Sequence, residues 1–102
     1  MGKKHYRKLV RDRIPDLIEA SGKKCKWHSA TDKGFKTYLA KKLVEEAKEF
    51  QENPSNEELA DVYEVLMYIQ EHMGFYPYGP MGKKASEKGR FDDRIILEWV
   101  EE

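Results

Sequence analysis

Two stretches of helical hydrophobic periodicity, separated only by Asn53-Pro54, restrict the folding of this chain more than any other feature. On a wheel of about 100° per residue, Phe35, Leu39, Leu43, Ala47 and Phe50 form one apolar arc, with Tyr38 at its edge. Asp32 is placed to cap this helix, which runs to about Asn53, where the proline breaks it. The next helix starts near Ser55 and stops at Gly74. Leu59, Val62, Tyr63, Val65, Leu66, Ile69 and Met73 give it a broad apolar face, and Ala60, Met67 and Tyr68 make it apolar nearly all round. More than one of its faces is therefore expected to be buried. So short a connection makes the two helices antiparallel neighbours.

The rest of the chain is read around this pair. Asp12 is a plausible N-cap for a short helix with Pro15 in its first turn, an apolar stripe of Ile14, Leu17 and Ile18, and a stop at Gly22. Residues 25–30 suit a short strand, and residues 94–100 alternate with Ile95, Leu97 and Trp99 on one face, so the two can pair as a small two-stranded β element. Residues 74–82 are expected as a loop with aromatic anchors, and residues 83–88 as one or two helical turns. Trp27 and Trp99 are expected to pack in the core. Residues 1–102 thus form one domain, mostly α, built as an antiparallel helical bundle with that small β element attached.

Both long helices carry acids where apolar residues belong. Glu46 falls between Phe35 and Leu39 inside the arc, Lys42 and Glu49 lie within its span toward Tyr38, and Glu45 sits just outside. On the second helix Glu58 projects between Val65 and Ile69, and Asp61 between Val65 and Tyr68. A carboxylate on a greasy face loses hydration, which is tolerated only beside a cation. Glu46 with Glu49, and Glu58 with Asp61, are i, i+3 pairs that can face each other across one groove. Hard oxygen ligands favour Mg²⁺ or Mn²⁺. His5, His28, His72 and Cys25 have no metal-ligand spacing. The blander reading takes Ser55 with Glu58 as a capping box, and Lys42–Glu46 and Glu45–Glu49 as helix-surface neighbours. It requires every acid on the core face to be there by coincidence.

Composition excludes other classes. Lysine plus arginine number 19 and aspartate plus glutamate 19, so no global field draws the chain to nucleic acid or a membrane surface. Charge is uneven all the same, basic over residues 3–13 and acidic over 45–64. Cys25 is the only cysteine, so no disulfide forms within the chain. No apolar run reaches the length of a signal-peptide core or a membrane span, and Tyr6 stands where a myristoylation motif wants Ser or Thr. The expectation is a cytoplasmic protein with no membrane partner.

At Glu45-Glu46-x-x-Glu49 followed by Glu58-x-x-Asp61 the chain resembles the all-α nucleoside triphosphate pyrophosphohydrolases, the superfamily of MazG and phosphoribosyl-ATP pyrophosphohydrolase. The opening Tyr6-Arg-Lys-Leu-Val-Arg-Asp-Arg-Ile-Pro15 and the tail from Lys84 to Leu97 also resemble a MazG-like subgroup, so the likeness spans most of the chain. The spacer between Glu49 and Glu58 is shorter than the superfamily commonly has. The resemblance implies an all-α NTP pyrophosphohydrolase-like fold in which Glu46, Glu49, Glu58 and Asp61 hold Mg²⁺, with Mn²⁺ as a substitute. Glu45 would be a further ligand or a base, which makes Glu45 and Glu46 the catalytic acids. The implied reaction is Mg-dependent hydrolysis of a nucleotide between its α- and β-phosphates, releasing the monophosphate and pyrophosphate. Basic side chains must then clamp the leaving group, and the candidates are Lys8, Arg11, Arg13, Lys42, Lys84, Lys88, Arg90 and Arg94. Trp27, Phe75, Tyr76 and Tyr78 are candidates for stacking on a base. The resemblance also implies a homodimer or higher homo-oligomer. The rival functions are a nucleic-acid-binding helical module, prompted by the basic N-terminus, and a catalytically inactive oligomeric scaffold.

Overall fold

The computed structural model describes residues 2–102 and contains four helices, α1 (Ile14–Ala20), α2 (Asp32–Glu52), α3 (Asn56–Met73) and α4 (Tyr78–Lys88). Thr31, one residue ahead of the expected Asp32, caps α2, its hydroxyl accepting from the Gly34 N–H at 3.1 Å, and Asp32 lies in the first turn facing the positive helix end. Ser55 caps α3 in the same way, accepting from the Glu58 N–H at 3.2 Å. The helix ends where Gly74 turns to φ 69°, a left-handed conformation that costs glycine little. At α1 the cap position is Arg13, with no side-chain bond, and Pro15 sits inside the first turn as expected.

Two expected elements take another form. The loop expected over residues 74–82 is shorter than that, because α4 begins at Tyr78 despite the poor helix formers Gly79, Pro80 and Gly82. Pro80 then occupies the first turn, where its missing N–H had no partner to lose. The expected β pair within the chain does not form. Among the described residues there is no strand, and no backbone–backbone hydrogen bond starts or ends in residues 24–30 or 95–102. Alternation predicts which face of a strand is apolar but cannot create the neighbour a ladder requires.

Only α2 and α3 pack against one another; no other pair of helices is in contact among the described residues. The beginning of α2 meets the end of α3, where the Phe35 and His72 rings meet edge to face at 5.0 Å. Leu39 and Val65 are the buried apolar residues of this seam, and Glu46 is the buried charged one. Trp27 and Trp99, expected in the core, are 63% and 74% exposed. No helix is long and apolar enough to cross a membrane.

Candidate metal centre

The end of α2 and the start of α3 bring four carboxylates to one point. One oxygen from each of Glu46, Glu49, Glu58 and Asp61 lies within 4.8 Å of the others. A divalent ion held by opposing oxygens requires them about 4–5 Å apart, so the four could hold one hard divalent cation. The two i, i+3 pairs produce this directly, each placing two acids on the side of its helix that faces the other.

Burial sharpens the reading. Glu46 is only 6% exposed, and its Oε2 atom has no hydrogen-bond partner; Oε2 of Glu58 is buried and unpartnered as well. A buried carboxylate oxygen without a donor is costly, and two of the four clustered acids carry one. Lys42 supplies part of the compensation, its Nζ lying 3.2 Å from Glu46 Oε1 and 3.4 Å from Glu45 Oε2. It is not sufficient for Glu46, whose carboxyl is pushed above its ordinary value first by burial, with Lys42 opposing and Glu49 adding to the rise. Glu45 behaves oppositely. Burial works to raise it, but the hydrogen bond from Lys8 and the charges of Lys42 and Lys8 outweigh burial and hold it below the ordinary value. Two adjacent acids are thus shifted in opposite directions, Glu46 upward and Glu45 downward.

The N-terminal arm covers the cluster. Lys8 Nζ reaches Glu45 at 3.0 Å, and Arg11 forks between Asp61, at 2.8 Å, and Glu64. Three of the basic candidates, Lys8, Arg11 and Lys42, therefore stand beside the acids. Arg13 serves as the residue before α1 and makes no ion pair among the described residues. Lys84, Lys88, Arg90 and Arg94 are exposed on α4 and the tail, and α4 touches neither α2 nor α3. Glu64 is the residue of this site that sequence reasoning missed. It lies i+3 from Asp61, and its signal was the same spacing that identified the pairs. Phe75, Tyr76 and Tyr78 form a separate exposed group, with the Tyr76 and Tyr78 rings 5.2 Å apart.

No family model matches the chain, and no curated protein or solved structure matches it either. The residues themselves must carry the functional reading.

The raised Glu46 carboxyl has a consequence for pH. A carboxylate that holds a cation must be ionised, so if Glu46 is a ligand, divalent-cation affinity should rise as the pH climbs through the range where its raised carboxyl titrates. Metal-free stability moves the other way. The folded value of Glu46 lies above the unfolded one, so the folded state takes up the proton first, and the contribution of Glu46 to stability is gained on acidification and lost as pH rises. Calorimetric Mg²⁺ titrations over the acid range would measure the first effect; an affinity independent of pH there would remove Glu46 from the ligand set.

Proposed function

We propose that this protein is a Mg²⁺-dependent nucleotide pyrophosphohydrolase. The observation that carries the reading is the meeting of Glu46, Glu49, Glu58 and Asp61 within 4.8 Å, two of them, Glu46 and Glu58, each with a buried oxygen that has no hydrogen-bond partner. On this reading Glu46, Glu49, Glu58 and Asp61 hold Mg²⁺, for which Mn²⁺ is a substitute. When bound, the ion would supply a hydroxide-like water near neutral pH and offset negative charge on the phosphate oxygens.

The chain's own residues then divide the remaining work. Glu45, kept ionised between Lys8 and Lys42, takes the proton of the attacking water. The water oxygen joins the α-phosphorus, the bond from that phosphorus to the bridging oxygen breaks, and monophosphate and pyrophosphate separate. Lys8, Arg11 and Lys42 draw in the polyphosphate and stabilise the leaving charge. Arg11 can serve only by leaving Asp61 and Glu64, so phosphate and ion would exchange partners with the arm. A screen of nucleoside triphosphates with and without Mg²⁺, reading pyrophosphate release, tests the proposal. Release that requires the ion supports it, and a complete lack of hydrolysis across the panel would sink it.

The working unit on this reading is a homodimer in which α2 and α3 run antiparallel and two such pairs complete a four-helix core. Leu59, Ala60, Tyr63 and Met67 line an open apolar groove along α3, and Tyr63 and Met67 are 62% and 66% exposed. A second chain also gives the remote basic residues a route to the acids. Lys88→Ala and Arg90→Ala are accordingly expected to raise KM or lower turnover without moving Tm, because neither side chain is buried. Unchanged kinetics in both variants would take the tail out of the site.

A further inference from the structure

The chain leaves far more surface open than its mass requires. Its accessible surface is 10173 Å², whereas a compact protein of this mass exposes about 6,000 Å². Its radius of gyration is 18.6 Å against about 13 Å for a compact domain of this length. The excess of about 4,000 Å² per chain, about 8,000 Å² for two, is more than the roughly 2,000–5,000 Å² that obligate homodimers bury over both partners, so a groove on α3 alone does not account for it.

Part of the open apolar surface lies after α4. Gly89 takes φ 77° and Arg94 φ 57°, and beyond this turn Ile95, Ile96, Leu97, Trp99 and Val100 are 69–82% exposed. An exposed apolar segment with unpaired backbone groups is a template for strand pairing. A second unpaired segment precedes α2 and has the complementary charge, with Lys23, Lys24 and Lys26 there against Glu98, Glu101 and Glu102 in the tail. We propose that the C-terminal tail is an exchanged arm, residues 94–100 of each chain forming an antiparallel ribbon with residues 24–30 of a second copy.

One register gathers Leu97 and Trp99 on one face and puts Glu98 on the other, beside Ile96 and Val100, which lie opposite His28 and Lys24. With Glu98 opposite Lys26, Leu97 lies opposite Trp27 and Trp99 opposite Cys25, so one face of the ribbon is apolar. Glu101 falls opposite Lys23 at its end. Shifting by one residue would turn the apolar set to the other face and separate the charges. Exchange by a two-fold axis makes two identical ribbons, the symmetric closed arrangement in which each copy gives and receives one arm. The ribbon does not depend on the hydrolytic reading, though it does need a second copy.

The native protein can be tested directly. Unlabelled and ¹⁵N-labelled protein are unfolded together, refolded as an equal mixture and treated with a zero-length carbodiimide. Peptides linking Lys26 to Glu98 should appear, with mixed heavy–light links as abundant as the two pure kinds together. Links that are isotopically pure would show pairing within one chain and overturn the exchange, as would the absence of any Lys26–Glu98 link. Glu98→Lys should raise the dimer dissociation constant roughly tenfold, and Lys26→Glu in the same chain should restore it, since two symmetry-related pairs change from attraction to repulsion and back. The two tryptophans both lie in the ribbon, so their emission should shift to the red on dilution of the native protein. A dimer unchanged by Glu98→Lys and lacking the link would remove the exchanged arm while leaving the α3 contact and the pyrophosphate release test standing.

Discussion

Glu49→Gln and Asp61→Asn should each abolish turnover, a loss of at least about 100-fold, while leaving the metal-free protein as stable as the parent or more so. The loss follows from the ligand count. Four oxygens converge within 4.8 Å, and a neutral amide neither carries the charge nor offers the geometry of the carboxylate it replaces. The unchanged or higher stability follows from electrostatics. Without a cation these acids repel one another, and burial already raises the Glu46 carboxyl above its ordinary value, with Glu49 adding to the rise. Removing the Glu49 charge relieves Glu46 directly. Asp61→Asn is the sterner test, because it also breaks the ion pair with Arg11 at 2.8 Å. Both groups of that pair are substantially exposed, so its loss should cost no more than about 1 kcal/mol. Thermal melts with and without Mg²⁺ separate the outcomes. The parent should gain stability with the ion and the variants should not. A large drop in metal-free Tm in both variants would instead make the cluster a structural device.

The seam of this fold was legible because helix periodicity states which residues face a partner. Leu39, Val65 and Glu46 all came from one wheel argument, and the acid pairs followed from the same spacing. The caps at Thr31 and Ser55 and the stop at Gly74 fall at or within one residue of the positions the sequence marks, because side-chain oxygens and a left-handed glycine act locally. Features that depend on distant partners were not legible. Nothing in the sequence places Lys8 on Glu45 or Arg11 on Asp61 and Glu64, since those contacts span an irregular arm whose path no periodicity describes. Trp27 and Trp99 were assigned to a core on hydrophobicity alone, and a single chain provides no core where they lie. The helix at Tyr78 was hidden by its glycines and proline, whose propensities argue for loop.

Met67→Lys should split the native protein into monomers and reduce its activity with them. The parent is expected to scatter as a particle of twice 12.0 kDa. Met67 is 66% exposed in one chain, beside Leu59, Ala60 and Tyr63 in the α3 groove. Burying an apolar side chain of this size is worth about 1.5–3 kcal/mol, and a two-fold interface counts the residue twice. A lysine there forfeits that gain in both copies and brings two charges toward an apolar contact. The dimer dissociation constant should therefore rise at least about 100-fold, which corresponds to about 2.8 kcal/mol. Helix content should fall on dilution as well, because one chain buries only Leu39, Val65 and Glu46 among its described residues and its four helices share a single seam. Light scattering and pyrophosphate release measured on the same dilution series link assembly to chemistry. Tyr63→Lys, one turn earlier in the same groove, should repeat the result, whereas a lysine in place of Phe75, outside the groove, should not. A parent protein that remains a 12.0 kDa monomer and is fully active at nanomolar concentration would overturn the dimer and, with it, any route by which Arg90 or Lys88 of one chain reaches the acids of another.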